Sequence, residues 1–135
     1  MPAIDQHHDI VVNALKKDGW TITHQQVRLV IDDRWLWIDI QAEKGDETTS
    51  VLIEVKGFDN PRSPVAYLES VVGQYVVYQI VLDYLEWEQP LYLAVPSNSF
   101  DDILGEEIGV EVIKQAGIKL LIFSVDEEKI LEWKT

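Results

Sequence analysis

The chain has 135 residues, no cysteine and a formal net charge of −13, from 11 Lys and Arg against 24 Asp and Glu. That length suits one domain over residues 1–135 with one core. The lack of cysteine excludes a disulfide scaffold, a thiolate metal site and a cysteine nucleophile.

The charge is unevenly spread. Residues 63–113 hold nine acids and no Lys or Arg, whereas residues 1–62 hold seven bases against eleven acids. A DNA backbone is repelled by the middle of such a chain and has to approach its N-terminal half or a more basic partner. The start, Met1 to Gln6, lacks the basic and apolar runs of a signal peptide. The most apolar stretch, Val65 to Trp87, is interrupted by Glu69, Gln74, Gln79 and Asp83. The expectation is a cytoplasmic protein with no membrane span.

Ile4, His8, Val11, Val12 and Leu15 recur at helical spacing, and Gly19 stands where a helix stops. Three runs rich in β-branched and aromatic residues follow, Thr21 to Ile31, Arg34 to Gln41 and Ser50 to Lys56, joined by turns at Asp32-Asp33 and Lys44 to Glu47. Polar His24-Gln25-Gln26 predicts a bulge or break in the first run. Ser63 as N-cap and Pro64 at the first helical position open a long helix reaching toward Trp87. Tyr92 to Val95 reads as a strand, Asp101 to Gln115 as a helix stopped by Gly117, and Lys119 to Val125 and Ile130 to Trp133 as strands. The first six elements run αβββαβ. The fold class is therefore α/β (α+β), a mixed sheet flanked by helices.

The third run carries the chemistry. Along a strand side chains alternate, so Val51, Ile53 and Val55 face one way while Glu54 and Lys56 face the other, side by side. Ionisable groups at the end of an apolar strand are costly unless they pair or bind something. The preceding run also ends in an acid, Asp39, and antiparallel pairing would bring Asp39 near Glu54. Two readings of this cluster fit. In one, Asp39, Glu54 and the Val55 carbonyl hold a hard cation, Mg²⁺ or Mn²⁺, and Lys56 positions a water or a phosphate. In the other, Glu54 and Lys56 form a structural ion pair at the rim of a sheet. Gln74, on the long helix, either faces this site or faces solvent. Asp9 reads as a solvated acid or a further site acid, His8 as a satisfied core residue, and Glu43 as loop charge or a supporting acid. Three His without HxH or HExxH spacing argue against zinc. The long helix is apolar nearly all round, so one side meets a subunit or partner, or is covered by the C-terminal strands.

Several blocks resemble a known family: Met1-Pro2-Ala3, His8-Asp9, Asn13-Ala14-Leu15, Asp18 to His24, Ile38-Asp39, Ala42-Glu43-Lys44, Ile53-Glu54-Val55-Lys56, Gly73-Gln74-Tyr75 and Leu91 to Pro96. Together they resemble the XisH family of fdxN-element excision controlling factors. The resemblance implies a cyanobacterial protein that helps control excision of a DNA element during heterocyst differentiation, with a small partner, XisI. It also implies similarity to the PD-(D/E)xK restriction-endonuclease-like fold, whose acid, Glu and Lys fall on Asp39, Glu54 and Lys56, with Ile38 in place of the motif's Pro. Two functions follow as expectations. One is Mg²⁺-dependent cleavage of DNA; the other is non-catalytic regulation through XisI and a recombinase, with homo-oligomers compatible with both.

Overall fold

The computed structural model describes residues 5–45, 49–59 and 61–135. Met1 to Ile4, and Asp46 and Glu47 of the expected turn, lie outside them. The first helix, α1 (His8–Lys17), buries His8, Val11, Val12, Ala14 and Leu15, and Gly19 takes φ +88° just beyond its end. That left-handed conformation costs glycine little and reverses the chain into the first strand.

Strands β1 (Trp20–Ile31), β2 (Arg34–Lys44) and β3 (Thr49–Val55) form an antiparallel meander. β2 runs past Gln41 because Ala42 is buried opposite Val51 and Lys44 still pairs with Thr49. The break expected at His24-Gln25-Gln26 is present: the β1–β2 register shifts between Ile22 and His24, and Gln26 takes φ 56°. Helix α2 (Pro64–Tyr84) follows, its N-cap Ser63 hydroxyl accepting the Ala66 N–H at 3.3 Å. It stops short of Trp87 because Glu86 turns into φ 62° and the Trp87 N–H closes the end on the Leu82 carbonyl at 2.9 Å.

Strands β4 (Leu91–Pro96) and β5 (Lys119–Ser124) add in parallel to β3, and β6 (Lys129–Lys134) closes the sheet antiparallel, in the order β1-β2-β3-β4-β5-β6. The helix expected over Asp101 to Gln115 is instead two short 3₁₀ turns, Ser97–Asp101 and Ile103–Gly105, and then α3 (Glu107–Gln115). Asp102, at φ −129° and ψ −141°, breaks the helical path. The turns fold so tightly that Gly105 lies against the Phe100 carbonyl and Gly109 against the Ile103 carbonyl.

The sheet is covered on both faces. Val11, Val12 and Leu15 of α1 pack with Ile40, Val51, Ile53, Val55, Leu121 and Phe123. On the other face α2, the 3₁₀ turns and α3 cover Leu29, Ile38, Leu52, Leu91, Leu93 and Leu120. Both edge strands contact α1, and their side chains meet beside it, the rings of Trp20 on β1 and Trp133 on β6 lying 5.3 Å apart between centroids. By length and composition α2 could span a bilayer, with 21 residues and hydropathy 1.3. In the fold its Leu68, Val71, Tyr75, Val81 and Leu82 are buried, each removal from water being worth about 1.5–3 kcal/mol for a large apolar side chain. Its outer stripe stays exposed, so the C-terminal strands do not cover it.

Candidate functional site

The site forms where β2 and β3 part. Their ladder ends at Ile40 opposite Ile53, while β3 stays with β4 through Glu54 opposite Leu93 and Val55 opposite Ala94. Asp39 and Glu54 would be the next pair. In place of a backbone ladder, the Asp39 N–H donates to Glu54 Oε1 at 3.2 Å and the Val55 N–H donates to Asp39 Oδ2 at 2.7 Å. Strand alternation explains the second bond. The Leu52 and Lys56 N–H groups donate to Pro90 and Ala94 on the β4 side, so the N–H and carbonyl of Val55 point toward β2. The Val55 carbonyl thus opens onto the same gap. Across it, the kinked Gln26 donates from Nε2 to Asp39 Oδ1 at 3.4 Å.

Both carboxyl groups are buried, Asp39 at 7% and Glu54 at 6% exposure. Burial, then the Asp39 charge, pushes the Glu54 carboxyl up to about 9, and Lys56 only partly opposes this. Lys56 Nζ lies 3.8 Å from Glu54 Oε2, with its side chain partly open to solvent. At neutral pH the pair therefore keeps a proton unless another cation enters.

Around it lies a small cleft of about 60 Å³ lined by Asp5, Trp37, Asp39, Glu54, Val55, Lys56, Gln74 and Tyr78. It brings together Asp39, Glu54, Val55, Lys56 and Gln74, the residues the sequence assigned to catalysis and metal binding, but not the lesser candidates Asp9 and Glu43. Gln74 donates from Nε2 to the Tyr78 hydroxyl at 2.9 Å, and burial raises the Tyr78 phenol. A hollow of about 660 Å³ elsewhere gathers Glu43, Glu86 and Glu88 with no basic group.

Asp5, Trp37 and Tyr78 were not legible as site residues. Asp5 arrives through the turn just before α1: its Oδ1 accepts the His7 N–H at 2.8 Å and its Oδ2 the Gly57 N–H at 3.1 Å, just past β3. An aspartate ahead of a helix start is the one sequence hint. Asp9 is exposed, and Glu43 sits opposite Ser50, at the other end of the β2–β3 ladder. His8 is a core residue, its Nε2 2.8 Å from Gln25 Oε1. Among the described residues no three His, Asp or Glu side chains gather as a metal cage; Asp39 and Glu54 remain a pair.

The XisH family model matches residues 1–131. The chain belongs to the XisH family. Its fold is shared with an XisH family protein from Nostoc punctiforme PCC 73102, at 31% identity and TM-score 0.88 over 97% of this chain and 100% of that one. An fdxN element excision controlling factor protein from Anabaena variabilis is similar at 30% identity and TM-score 0.87, over 95% of this chain and 97% of the other. No curated protein matches. This XisH-family chain is thus a six-stranded mixed sheet whose central strands separate around two buried carboxyl groups.

Proposed function

We propose that this XisH-family protein acts on DNA phosphodiester bonds at the Asp39–Glu54–Lys56 cleft, as an endonuclease of PD-(D/E)xK type serving excision of an fdxN-like element in heterocyst differentiation. The observation that carries the reading is the gap in the β2–β3 ladder, filled by two buried carboxyl groups with a lysine 3.8 Å from one of them. A purely structural ion pair needs one acid. Burial, reinforced by the second acid, pushes the Glu54 carboxyl well up and raises the cost of the site.

The donors fit a hard cation such as Mg²⁺ or Mn²⁺: only oxygens, two from carboxylates and one from the Val55 carbonyl, with water for the rest. A cleft of about 60 Å³ has room for an ion and little more. Such an ion, when bound, supplies charge neutralisation for the phosphate. The protein's own groups do the remainder. Asp39 is fixed by the Val55 N–H and so aims its second oxygen into the gap. Lys56 reaches the cleft as a point charge that orients a water or holds a phosphate oxygen. Gln74, held by Tyr78, offers its amide to the same space.

The test is cleavage of plasmid and linear DNA by the full chain with Mg²⁺, Mn²⁺ or chelator, with and without an XisI-like partner, beside Lys56→Ala. Metal-dependent nicking that Lys56→Ala loses is expected. Equal activity in both proteins, or none under any of these conditions, refutes the enzyme.

A second reading is favoured by the net charge of −13 and the absence of Lys and Arg from residues 63–113. In it the protein is a non-catalytic regulator that reaches DNA only through a basic partner, an XisI-like protein or a recombinase. Co-purification with either partner, undiminished in Lys56→Ala, distinguishes it from the enzyme.

A further inference from the structure

The outer face of α2 holds an exposed apolar stripe. Val76, Val77, Ile80 and Tyr84 are 37%, 50%, 61% and 74% exposed, and with Gly73 they recur at intervals of three and four residues, which is one side of a helix. Gly73 sits near the middle of a 21-residue helix, and a Cβ built there meets nothing within 4 Å. Nothing inside the chain requires a glycine, which costs a helix about 1 kcal/mol relative to alanine. A glycine on an outer face does let another backbone come close.

The helix is also electrostatically unfinished, with no acid in its first turn and no base in its last. Asp83 stands in that last turn, where the helix dipole disfavours an acid. Arg62, just before the helix, is exposed and joins no salt bridge among the described residues.

We infer that this face binds a second copy of the chain, the two α2 helices packing antiparallel about a two-fold axis at Gly73. In that register Ile80 of one copy meets Ala66 of the other, and Val77 covers the aliphatic stem of Glu69. Tyr84 lies against Arg62, and Asp83 against Ser63 at the positive end of the facing helix. Each acid on the stripe then faces an apolar, basic or N-terminal group, and no acid faces an acid. A parallel pairing would stack Asp83 on Asp83. An anionic bilayer would repel Glu69 and Asp83, and neither stands opposite an acid in the antiparallel pair. The symmetric contact is isologous, so it closes at two copies.

A helix pair is a small interface, so the affinity expected is roughly micromolar. The experiment is sedimentation equilibrium of the full chain from roughly 1 to 200 µM, a range in which such a dimer dissociates. The expected result is a mass that rises from that of a 15.5 kDa chain toward twice that value. Gly73→Leu and Ile80→Glu, both at exposed positions, are each expected to weaken the dimer about tenfold or more, with the melting temperature of the monomer not lowered, and in Gly73→Leu raised by the better helix former. Arg62→Glu and Asp83→Arg are each expected to weaken it, the first by losing the contact with Tyr84 and the second by placing a cation at the positive end of the facing helix. A chain that stays monomeric throughout, a dimer indifferent to both stripe substitutions, or a dimer strengthened by Asp83→Arg overturns the inference. DNA cleavage plays no part in this readout, so the inference stands or falls apart from the nuclease reading.

Discussion

Asp39 and Glu54 hold each other's strands: the Asp39 backbone N–H donates to the Glu54 carboxyl, and the Asp39 carboxyl accepts from Val55, the residue after Glu54. The Asp39 carboxyl thus replaces the ladder bond that the separating strands would otherwise leave unmade at Val55, and the Glu54 carboxyl gives the Asp39 N–H a partner. The same groups that would bind a cation therefore support the fold, and substitutions must be chosen to separate the two roles. Asp39→Ala leaves the buried Val55 N–H without a partner, at a cost of about 1–3 kcal/mol. Asp39→Asn keeps an acceptor there and is expected to lose less stability. Both are expected to abolish cleavage. Urea denaturation beside the plasmid assay checks this, and equal destabilisation by the two variants would show that Asp39 does not support Val55.

The raised Glu54 carboxyl makes stability depend on pH. Its folded value of about 9 lies above the unfolded 4.5, so the native state holds a proton that the unfolded chain releases across that window. The stabilisation from this group is complete below the unfolded value and is lost as pH rises toward the folded one. Melting temperature is expected to fall between about pH 5 and pH 8 on this account, and Glu54→Gln, which keeps the acceptor for Asp39 N–H, to flatten the fall. Millimolar Mg²⁺ is expected to raise the melting temperature of the parent at the upper end of the window only, since it takes the place of the proton. A Glu54→Gln protein with the parent's pH profile would count against a buried, protonated Glu54.

How far the site was legible depends on whether its residues report locally. Glu54 and Lys56 were readable because an apolar strand with two ionisable side chains on one face is anomalous by itself. Asp39 was readable because it interrupts Trp35 to Ile40 in the same way. Asp5, Trp37 and Tyr78 reach the cleft only through the fold, and the place of Asp5 ahead of a helix start is the one local mark among them. The order αβββαβ was written in the periodicities. Residues 97–105 were not, because acids and apolar residues at helical spacing look alike whether the chain forms one helix or several tight turns.

That segment yields its own prediction. Gly105 lies against the Phe100 carbonyl where a Cβ has no room, and the atom it would strike is backbone, not a movable side chain. Gly105→Ala therefore cannot be absorbed by a rotamer change. It is expected to cost about 2–4 kcal/mol by forcing the two 3₁₀ turns apart. Gly117→Ala, where the space is open and φ is +66°, is expected to cost less, roughly 1 kcal/mol, from backbone strain alone. Thermal melts of the two variants test the ranking; the reverse order would mean that the turns are looser than their contacts indicate.

Tyr75 links α2 to the parallel half of the sheet. Its hydroxyl donates to the Leu91 carbonyl at 2.7 Å and accepts the Lys119 N–H at 3.3 Å, so one atom serves the first residues of both β4 and β5. Two parallel strands have no hairpin to fix their relative start, and this hydroxyl supplies a fixed point between them. Burial raises the phenol, which stays protonated at neutral pH and able to donate. Tyr75→Phe keeps the ring in the core and removes only the oxygen, leaving a buried carbonyl and an N–H without their partner. The expected cost is about 1–3 kcal/mol, seen as a lower urea midpoint with an unchanged slope. Amide exchange is expected to accelerate at Lys119 more than at Ile53, which lies in the β2–β3 ladder away from the lost bond. Uniform acceleration along the chain would instead mean that the hydroxyl contributes to global stability without pinning the start of β5.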